Sequence, residues 1–228
     1  HLQRWQHSAA RLGMAPPPSQ SWLHLLIQEG IAKADLNGPG LAGALRLNWS
    51  RGQAAERGIG LPPGEPDRDA HCFWLTLQRH HPCFTPAQAW ISVEEQRNAS
   101  SRLSRCKTFA YGQAIQARRE AQTHGAELAL LRNTSGELCC SDSANLLVRR
   151  QGQWITPPLS SGCLPGVMRA RALELGLAVE AHLGPDLQTG DLALLINSLS
   201  CRPLQMLNAQ ALQPCSNPEQ LWRELLQA

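Results

Sequence analysis

Residues Cys106 to Gly125 read CKTFAYGQAIQARREAQTHG, and residues Ile155 to Gly176 read ITPPLSSGCLPGVMRARALELG. In the first stretch a lysine, Lys107, stands four residues before Tyr111, and the spacing of apolar residues after it predicts a helix. In the second stretch Gly166 opens another predicted helix. The free amides and positive dipole at a helix start can bind a phosphate, so the amides of Val167 and Met168 are candidate phosphate ligands.

Two further stretches follow the same order as a known family. HLQRWQHSAARLG (His1 to Gly13) is similar to an H-x-x-R-x-x-x-S-A helix, and NSLSCRP (Asn197 to Pro203) is similar to that family's closing turn. Together the four stretches resemble the class IV, fold-type IV enzymes that use pyridoxal 5'-phosphate (PLP). The likeness is greatest to 4-amino-4-deoxychorismate lyases and extends to branched-chain and D-amino acid aminotransferases.

The resemblance implies an α+β, two-domain fold and a role for each matched residue. Lys107, one of two lysines in the chain, would anchor PLP covalently and act as the catalytic base and acid. The other expected cofactor contacts are the Tyr111 hydroxyl near the phenolic oxygen, and Arg4, Gly166, Val167, Met168 and Asn197 at the phosphate. Outside the resemblance, Lys107 and Arg4 read as solvated residues and Tyr111 as a core aromatic.

The chain departs from the family pattern at Cys140, five residues before Asn145. The family has a glutamate there, which forms an ion pair with the pyridine nitrogen. A thiol cannot keep that nitrogen protonated as a carboxylate does, so the ring would be a weaker electron sink. Asp142 lies two residues further and could reach inward, although a solvated aspartate is the expectation from its sequence position.

The lead hypothesis is a PLP-dependent lyase that converts aminodeoxychorismate to p-aminobenzoate and pyruvate for folate synthesis. Aromatisation of the ring helps to drive this elimination, so the reaction should tolerate Cys140 better than transamination would. A class IV aminotransferase of branched-chain or D-amino acids and a PLP-binding relative without catalysis remain as alternatives. The small-molecule substrate would carry an amino group, and the resemblance alone implies a homodimer.

The composition of the chain argues against several other classes of protein. The chain has 228 residues and a net charge of +3, with no basic run interleaved with aromatics, so we do not expect nucleic-acid binding. It contains no apolar stretch of about 18 residues and no signal-peptide pattern, so we expect no membrane span and a cytoplasmic location. Eight scattered cysteines without metal-ligand spacing predict free thiols and no metal site.

The order of apolar patterns predicts a smaller N-terminal domain, residues 1–82, and a larger C-terminal domain, residues 83–228. The boundary is placed in HHPCFTP, because two prolines interrupt both helical and strand periods there. The family's two leading strands, with a G-D-G-x-F-E-T-like segment, have no counterpart in the sequence, so the N-terminal domain is expected to be incomplete. A polar loop over Arg51 to Ala70 is expected to be mobile or functional, and Leu138 to Arg150 is predicted as one strand.

Overall fold

The computed structural model describes residues 1–38, 40–52, 57, 60–61 and 64–227. The chain divides into two compact units, His1–His81 and Pro82–Ala228. Much of the predicted polar loop over Arg51 to Ala70 lies outside the described residues. None of the helices in the described ranges is both long enough and apolar enough to cross a membrane.

The first unit pairs two helices with a hairpin of two long strands. Helix α1 (Leu2–Arg11) buries a face of small residues, and helix α2 (Gln20–Lys33) begins where the Ser19 hydroxyl accepts from the Trp22 amide. Strands β1 (Gly43–Ser50) and β2 (Cys72–Arg79) pair antiparallel along their whole length. The core packs aromatic rings against alanine and methionine, and the Trp49 indole N–H donates to the Ala15 carbonyl at 2.9 Å.

The second unit contains nine strands and three α-helices among the described residues. The first five elements are β3 (Ala87–Arg97), α3 (Gly112–Thr123), β4 (Leu128–Asn133), β5 (Leu138–Ser141) and β6 (Asn145–Arg150). The next four are β7 (Gln153–Thr156), α4 (Val167–Glu174), β8 (Ala178–Glu180) and β9 (Leu192–Asn197). The last three are β10 (Ser200–Leu207), β11 (Gln210–Ala211) and α5 (Pro218–Gln227).

Six of these strands close into a ring. The hydrogen-bonded order β10, β3, β4, β5, β6 is completed by β9, which pairs with both β6 and β10. Strands β7 and β8 continue from β6 outside the ring, and β11 pairs with β10. The closure leaves each ring strand paired on both sides, so the interior is shielded from water.

Side chains that alternate along the ring strands form an inner and an outer core. Leu130 on β4 and Leu146 on β6 belong to the inner cluster, which is rich in leucine. Their neighbours Leu131 and Leu147 point to the opposite face, where α3 covers one cluster and α4 with α5 covers another. This two-residue period is the expected pattern for a strand buried on both faces.

The alternation fails on β5, and the prediction of a single strand from Leu138 to Arg150 is wrong. The chain leaves β5 after Ser141 and re-enters the sheet at Asn145 as β6, which runs antiparallel to β5. A register shift against β4 leaves Cys139 and Cys140 together in the outer cluster beneath α3. A β-bulge has this effect, since one extra residue turns the following side chain to the same face.

Candidate active site

Lys107 lies in the connection between β3 and α3. A single 3-10 turn, Arg102–Arg105, precedes it, and the Ser101 hydroxyl caps that turn by accepting from the Leu103 amide at 3.2 Å. Cys106 is buried, whereas the Lys107 side chain is exposed. The Lys107 Nζ lies 5.8 Å from the centre of the Tyr111 ring, so the amine and the phenol share one surface of the second unit.

Gly166 lies at the start of α4 in close contact with Asn145. A Cβ at Gly166 would come within 1.9 Å of the Asn145 Oδ1, so no larger residue fits without moving that side chain. The Asn145 Nδ2 donates to the Leu164 carbonyl at 2.9 Å and thereby fixes the approach to the helix. The Val167 and Met168 amides belong to the first turn of α4, where no side-chain cap is present.

Cys140 is buried in the outer cluster with Cys139 and Cys163. Hydrogen bonding from the Cys139 thiol, opposed by burial and assisted by the Arg169 charge, lowers the pKa of Cys163 to about 7. Hydrogen bonds to the thiols of Cys140 and Cys163, together with burial, raise the pKa of Cys139. All eight cysteines are free thiols, and three of them, Cys139, Cys140 and Cys163, meet in the outer cluster beneath α3.

Asp142 differs from its expected solvated state. Its side chain is 1% exposed and accepts a hydrogen bond from the Arg118 Nε at 2.7 Å. It also accepts from the Ala129 amide at 3.3 Å and from the Ser143 hydroxyl at 2.9 Å. The ion pair raises the pKa of Arg118 despite partial burial. Asp142 therefore joins α3 to the turn between β5 and β6, and its charge is already neutralised there.

Asn197 ends β9 and organises the tight turn into β10. Its Oδ1 accepts from the Leu199 amide at 2.7 Å and from the Ser200 hydroxyl at 3.2 Å. Its Nδ2 donates to the Ser143 carbonyl at 3.2 Å, which links this turn to the one after β5. These contacts give Asn197 a structural role, and its contact with a phosphate stays a prediction.

The structure brings several of the predicted positions of the second unit to one end of the ring. Cys140 pairs directly with Asn145, and Asn145 pairs in turn with Ile196, the neighbour of Asn197. Since the Asn145 side chain also lies against Gly166, two predicted positions, Cys140 and Gly166, adjoin one asparagine. Arg4 belongs to the first unit, where it lies partly buried on α1 and burial lowers its pKa.

Two residues with structural roles at this site were not identified from the sequence. Asn145 was noted only as the residue five positions after Cys140, although its place shortly after a Ser-Asp-Ser turn could have indicated an amide with a structural role. Arg97 ends β3 and binds three separate segments. No local pattern marks it, because its partners lie up to 65 residues away in sequence.

The fold agrees with the comparison to known families. Residues 1–206 match the amino-transferase class IV model, and the chain belongs to that family. Class IV aminotransferases and their relatives are PLP-dependent enzymes.

The proteins that the chain resembles include candidate lyases and an aminotransferase. A candidate aminodeoxychorismate lyase of Schizosaccharomyces pombe is 27% identical over 206 residues, which cover 87% of this chain and 78% of that protein. The crystal structure of a candidate 4-amino-4-deoxychorismate lyase from Legionella pneumophila has a TM-score of 0.83 and 25% identity, covering 100% of this chain and 83% of the other. An aminotransferase from Brucella abortus, solved with PLP bound, has a TM-score of 0.81 and 20% identity, covering 100% and 81%.

The residues present suit PLP in their chemistry. An exposed primary amine can bond to the cofactor's aldehyde, and a phenol lies beside it. The start of α4 at Gly166 has no side-chain cap, so its first backbone amides can donate to an anion. The one poor match is at Cys140, a thiol at the position where the family resemblance implies a carboxylate that pairs with a protonated ring nitrogen.

Proposed function

We propose that the protein is a PLP-dependent lyase that releases pyruvate and p-aminobenzoate from aminodeoxychorismate. The observation that carries the proposal is the exposed Lys107 amine beside Tyr111, in a chain whose only other lysine is Lys33 in the first unit. The similarity to two candidate lyases supports the choice of reaction.

Bound PLP would supply an electron sink for the negative charge that develops when the substrate loses a proton. Lys107 would hold the cofactor and then, once released, take the proton from the carbon that bears the amino group. The same amine would return a proton to the departing enol of pyruvate. The atoms of the substrate are thus divided between p-aminobenzoate and pyruvate without a further reactant.

The remaining residues of the site would orient the cofactor. The Tyr111 hydroxyl would donate to the phenolic oxygen, and the Val167 and Met168 amides would bind the phosphate at the start of α4. Arg4 and Asn197 are further proposed phosphate contacts on the basis of the resemblance. Because a guanidinium binds phosphate oxygens in pairs, Arg4→Lys should weaken phosphate binding more than the retained charge suggests.

Cys140 is the reason to prefer elimination over transamination. Transamination depends on a strongly electron-withdrawing ring, which a carboxylate opposite the pyridine nitrogen maintains. In the elimination proposed here, aromatisation of the product ring supplies part of the driving force. A class IV aminotransferase is the second candidate, favoured by the similarity to the Brucella abortus enzyme. A relative that binds PLP without catalysis is the third.

A spectrum of the purified protein with PLP, before and after addition of aminodeoxychorismate, tests the proposal. We expect a visible band from the attached cofactor, release of pyruvate, and unchanged cofactor form after turnover. Accumulation of the pyridoxamine form with an amino acid would favour the aminotransferase, and a stable band without turnover would favour the non-catalytic relative. We propose a homodimer that acts in the cytoplasm, which size-exclusion chromatography with light scattering and cell fractionation can test.

Borohydride reduction tests the anchor separately. The pyridoxyl group should be found on Lys107 after peptide mapping, and Lys33 serves as the internal control because it pairs with Glu29 on α2 at 2.7 Å. A label on Lys33, or no label in protein that retains PLP, would contradict the assignment.

A further inference from the structure

Arg97 contacts each of the segments that lead to the candidate site. Its Nη2 donates to the Ser104 carbonyl at 2.8 Å, three residues before Lys107. Its Nε donates to the Gly162 carbonyl at 3.2 Å, in the loop that leads to the Gly166 turn. Its Nη1 donates to the Gln113 Oε1 at 3.4 Å, on the first turn of α3.

The three contacts belong to a larger hydrogen-bonded arrangement at the end of β3. Gln113 returns a hydrogen bond from its Nε2 to the Gln96 carbonyl at 2.7 Å, so α3 is held to the strand from both sides. The buried Ser104 hydroxyl donates to the Asn98 carbonyl at 2.7 Å. The 3-10 turn before Lys107 is therefore fixed to β3 by both its hydroxyl and its backbone.

The loop at Gly162 is fixed to the same strand end. Gly162 has a φ of +91°, and a Cβ there would lie 3.0 Å from the Ala99 Cα and 3.2 Å from the Asn98 oxygen. The backbone of this loop thus packs directly against the residues that follow Arg97. A glycine is required, because any side chain would push the loop away from the strand.

The three partners of Arg97 are neutral oxygens, which distinguishes it from Arg118 and Arg169. Arg118 and Arg169 each pair with a carboxylate. The three acceptors carry no negative charge, so they do not neutralise the Arg97 guanidinium. The segments that Arg97 contacts are proposed to bind an anionic cofactor. A planar guanidinium with donors in a fixed fork can hold three acceptors at once, which an ammonium on a flexible stem cannot do with the same geometry.

We propose that Arg97 is a positioning residue that fixes the Lys107 loop relative to the phosphate-binding turn at Gly166. It does not need to touch the cofactor for this role, because its contacts act through Ser104, Gln113 and Gly162. The inference rests on the proposed function, because the distance between the Lys107 loop and the Gly166 turn matters only if one ligand, PLP, binds to both. Rigid placement of an anchoring group and its phosphate site reduces the ordering cost on binding.

Arg97→Ala should raise hydrogen exchange in residues 102–107 and 159–166 of the cofactor-free protein by about tenfold or more. PLP affinity should fall by about tenfold, and borohydride should trap less cofactor on Lys107 at equal PLP concentration. Arg97→Lys keeps the charge and most of the stem but not the fork, so it should restore only part of the affinity.

Arg132→Ala is the matched control. Arg132 lies on the neighbouring strand, where its Cα pairs with Gln96, and it also donates to a backbone carbonyl through Nε, that of Pro185 at 2.8 Å. Its Nη2 binds Asp186 at 3.1 Å, and neither partner belongs to the Lys107 loop or to the Gly166 turn. The control should therefore leave exchange in the two site segments and PLP affinity unchanged.

Each outcome decides the proposal. Faster exchange in both segments with weaker PLP binding, at a denaturation midpoint like that of Arg132→Ala, supports it. Unchanged exchange, or faster exchange with unchanged PLP affinity, overturns it. If Arg97→Ala and Arg97→Lys both unfold the whole second unit, Arg97 serves the fold in general and the proposal also fails. Should the unaltered protein not bind PLP at all, the proposed function fails, while the exchange data still show whether Arg97 fixes the two segments.

Discussion

The inner and outer faces of the strand ring differ in composition and in purpose. The inner cluster is built from leucine, isoleucine and valine with a few alanines, and side chains from all six ring strands meet there. The outer cluster beneath α3 is built mostly from alanine and cysteine. Small residues let the helix approach the sheet closely, and they leave room for polar side chains from α3 to reach the strands. The inner face therefore stabilises the ring, while the outer face positions the site.

The pair Leu130 and Leu131 tests this difference most strongly, because the two residues are adjacent on β4 and almost fully buried on opposite faces. Leu130→Ala should cost about 2–5 kcal/mol of unfolding free energy, since the closed ring cannot collapse around the cavity. Leu131→Ala should cost about 1 kcal/mol less, because α3 can settle towards the strand. Urea denaturation of both variants followed by circular dichroism gives the comparison. Equal costs would show that the outer face is as rigid as the inner one.

Cys140→Glu tests the outer face as part of the site. Restoring the carboxylate should strengthen PLP retention by about 1.5–3 kcal/mol, or one to two powers of ten in affinity, and should raise any transamination half-reaction. The neutral variant Cys140→Gln, which has nearly the same size, is the control and should give no gain. Burial of a charge beside Cys139 is the opposing cost. If the glutamate variant folds as well as the parent and binds PLP no better, Cys140 does not face the pyridine nitrogen.

Glu120 tests the polar contacts that the small residues allow. This buried residue of α3 accepts hydrogen bonds from the Ser92 hydroxyl and from the Val93 amide, the latter at 2.9 Å. Burial alone would raise its pKa, but these hydrogen bonds outweigh burial and lower it from the usual value of 4.5. Glu120→Gln should therefore cost about 1–3 kcal/mol at neutral pH.

The pH dependence of that cost has a defined sign. Because the folded pKa lies below the unfolded value, the carboxylate contributes stability above about pH 4.5 and loses it as the pH falls through the lower folded pKa. The difference in unfolding free energy between the parent and Glu120→Gln should accordingly become smaller towards about pH 3. Glu94→Gln, an exposed substitution on β3, should leave both stability and its pH dependence unaltered. A gap that stays constant with pH would contradict the assignment.

The smallest expected effect is on the ionisation of two buried thiols, Cys163 and Cys201, which lie on different parts of the outer face. Hydrogen bonding from Cys139 lowers the pKa of Cys163 to about 7, whereas burial raises the pKa of Cys201 to about 12. The ultraviolet absorbance of the thiolate should therefore show a step near pH 7 that Cys163→Ser removes and Cys201→Ser retains. If the absorbance step near pH 7 is still present in Cys163→Ser, it belongs to another thiol.

Much of the fold could be predicted because its elements carry local signals. The helix predicted after Lys107 is α3, and the helix predicted to open at Gly166 is α4, which begins at Val167. The division of Leu138 to Arg150 into two strands was missed, because the apolar residues on both sides of the Ser-Asp-Ser turn are buried and read as one continuous pattern. Strand β10 was also missed, since Arg202 and Pro203 interrupt its apolar run and its pairing with β3 is set by the tertiary structure.

At the candidate site, too, features set by neighbouring residues could be predicted, whereas features set by residues far apart in sequence could not. Lys107, Tyr111 and Gly166 lie in recognisable stretches, and their local settings, a loop before a helix and a glycine at a helix start, agree with the structure. The burial of Asp142 depends on Arg118 and Ala129, which lie 24 and 13 residues away. The role of Arg97 likewise depends on partners beyond its own strand. Such long-range contacts produce no repeating pattern in the sequence, so they can be identified only from the three-dimensional structure.

Closure of the ring by β9 and β10 has a consequence for how the chain folds. Leu204 on β10 pairs with Ala87 on β3, so the first and last strands of the ring lie 117 residues apart. Pairing of such distant segments is slow, because most of the loop entropy is lost before the contact forms. During synthesis, β3 has an unpaired edge until β10 has left the ribosome, and such an edge favours association with other chains. We expect the second unit to depend on chaperones or low concentration until its last ring strand is in place.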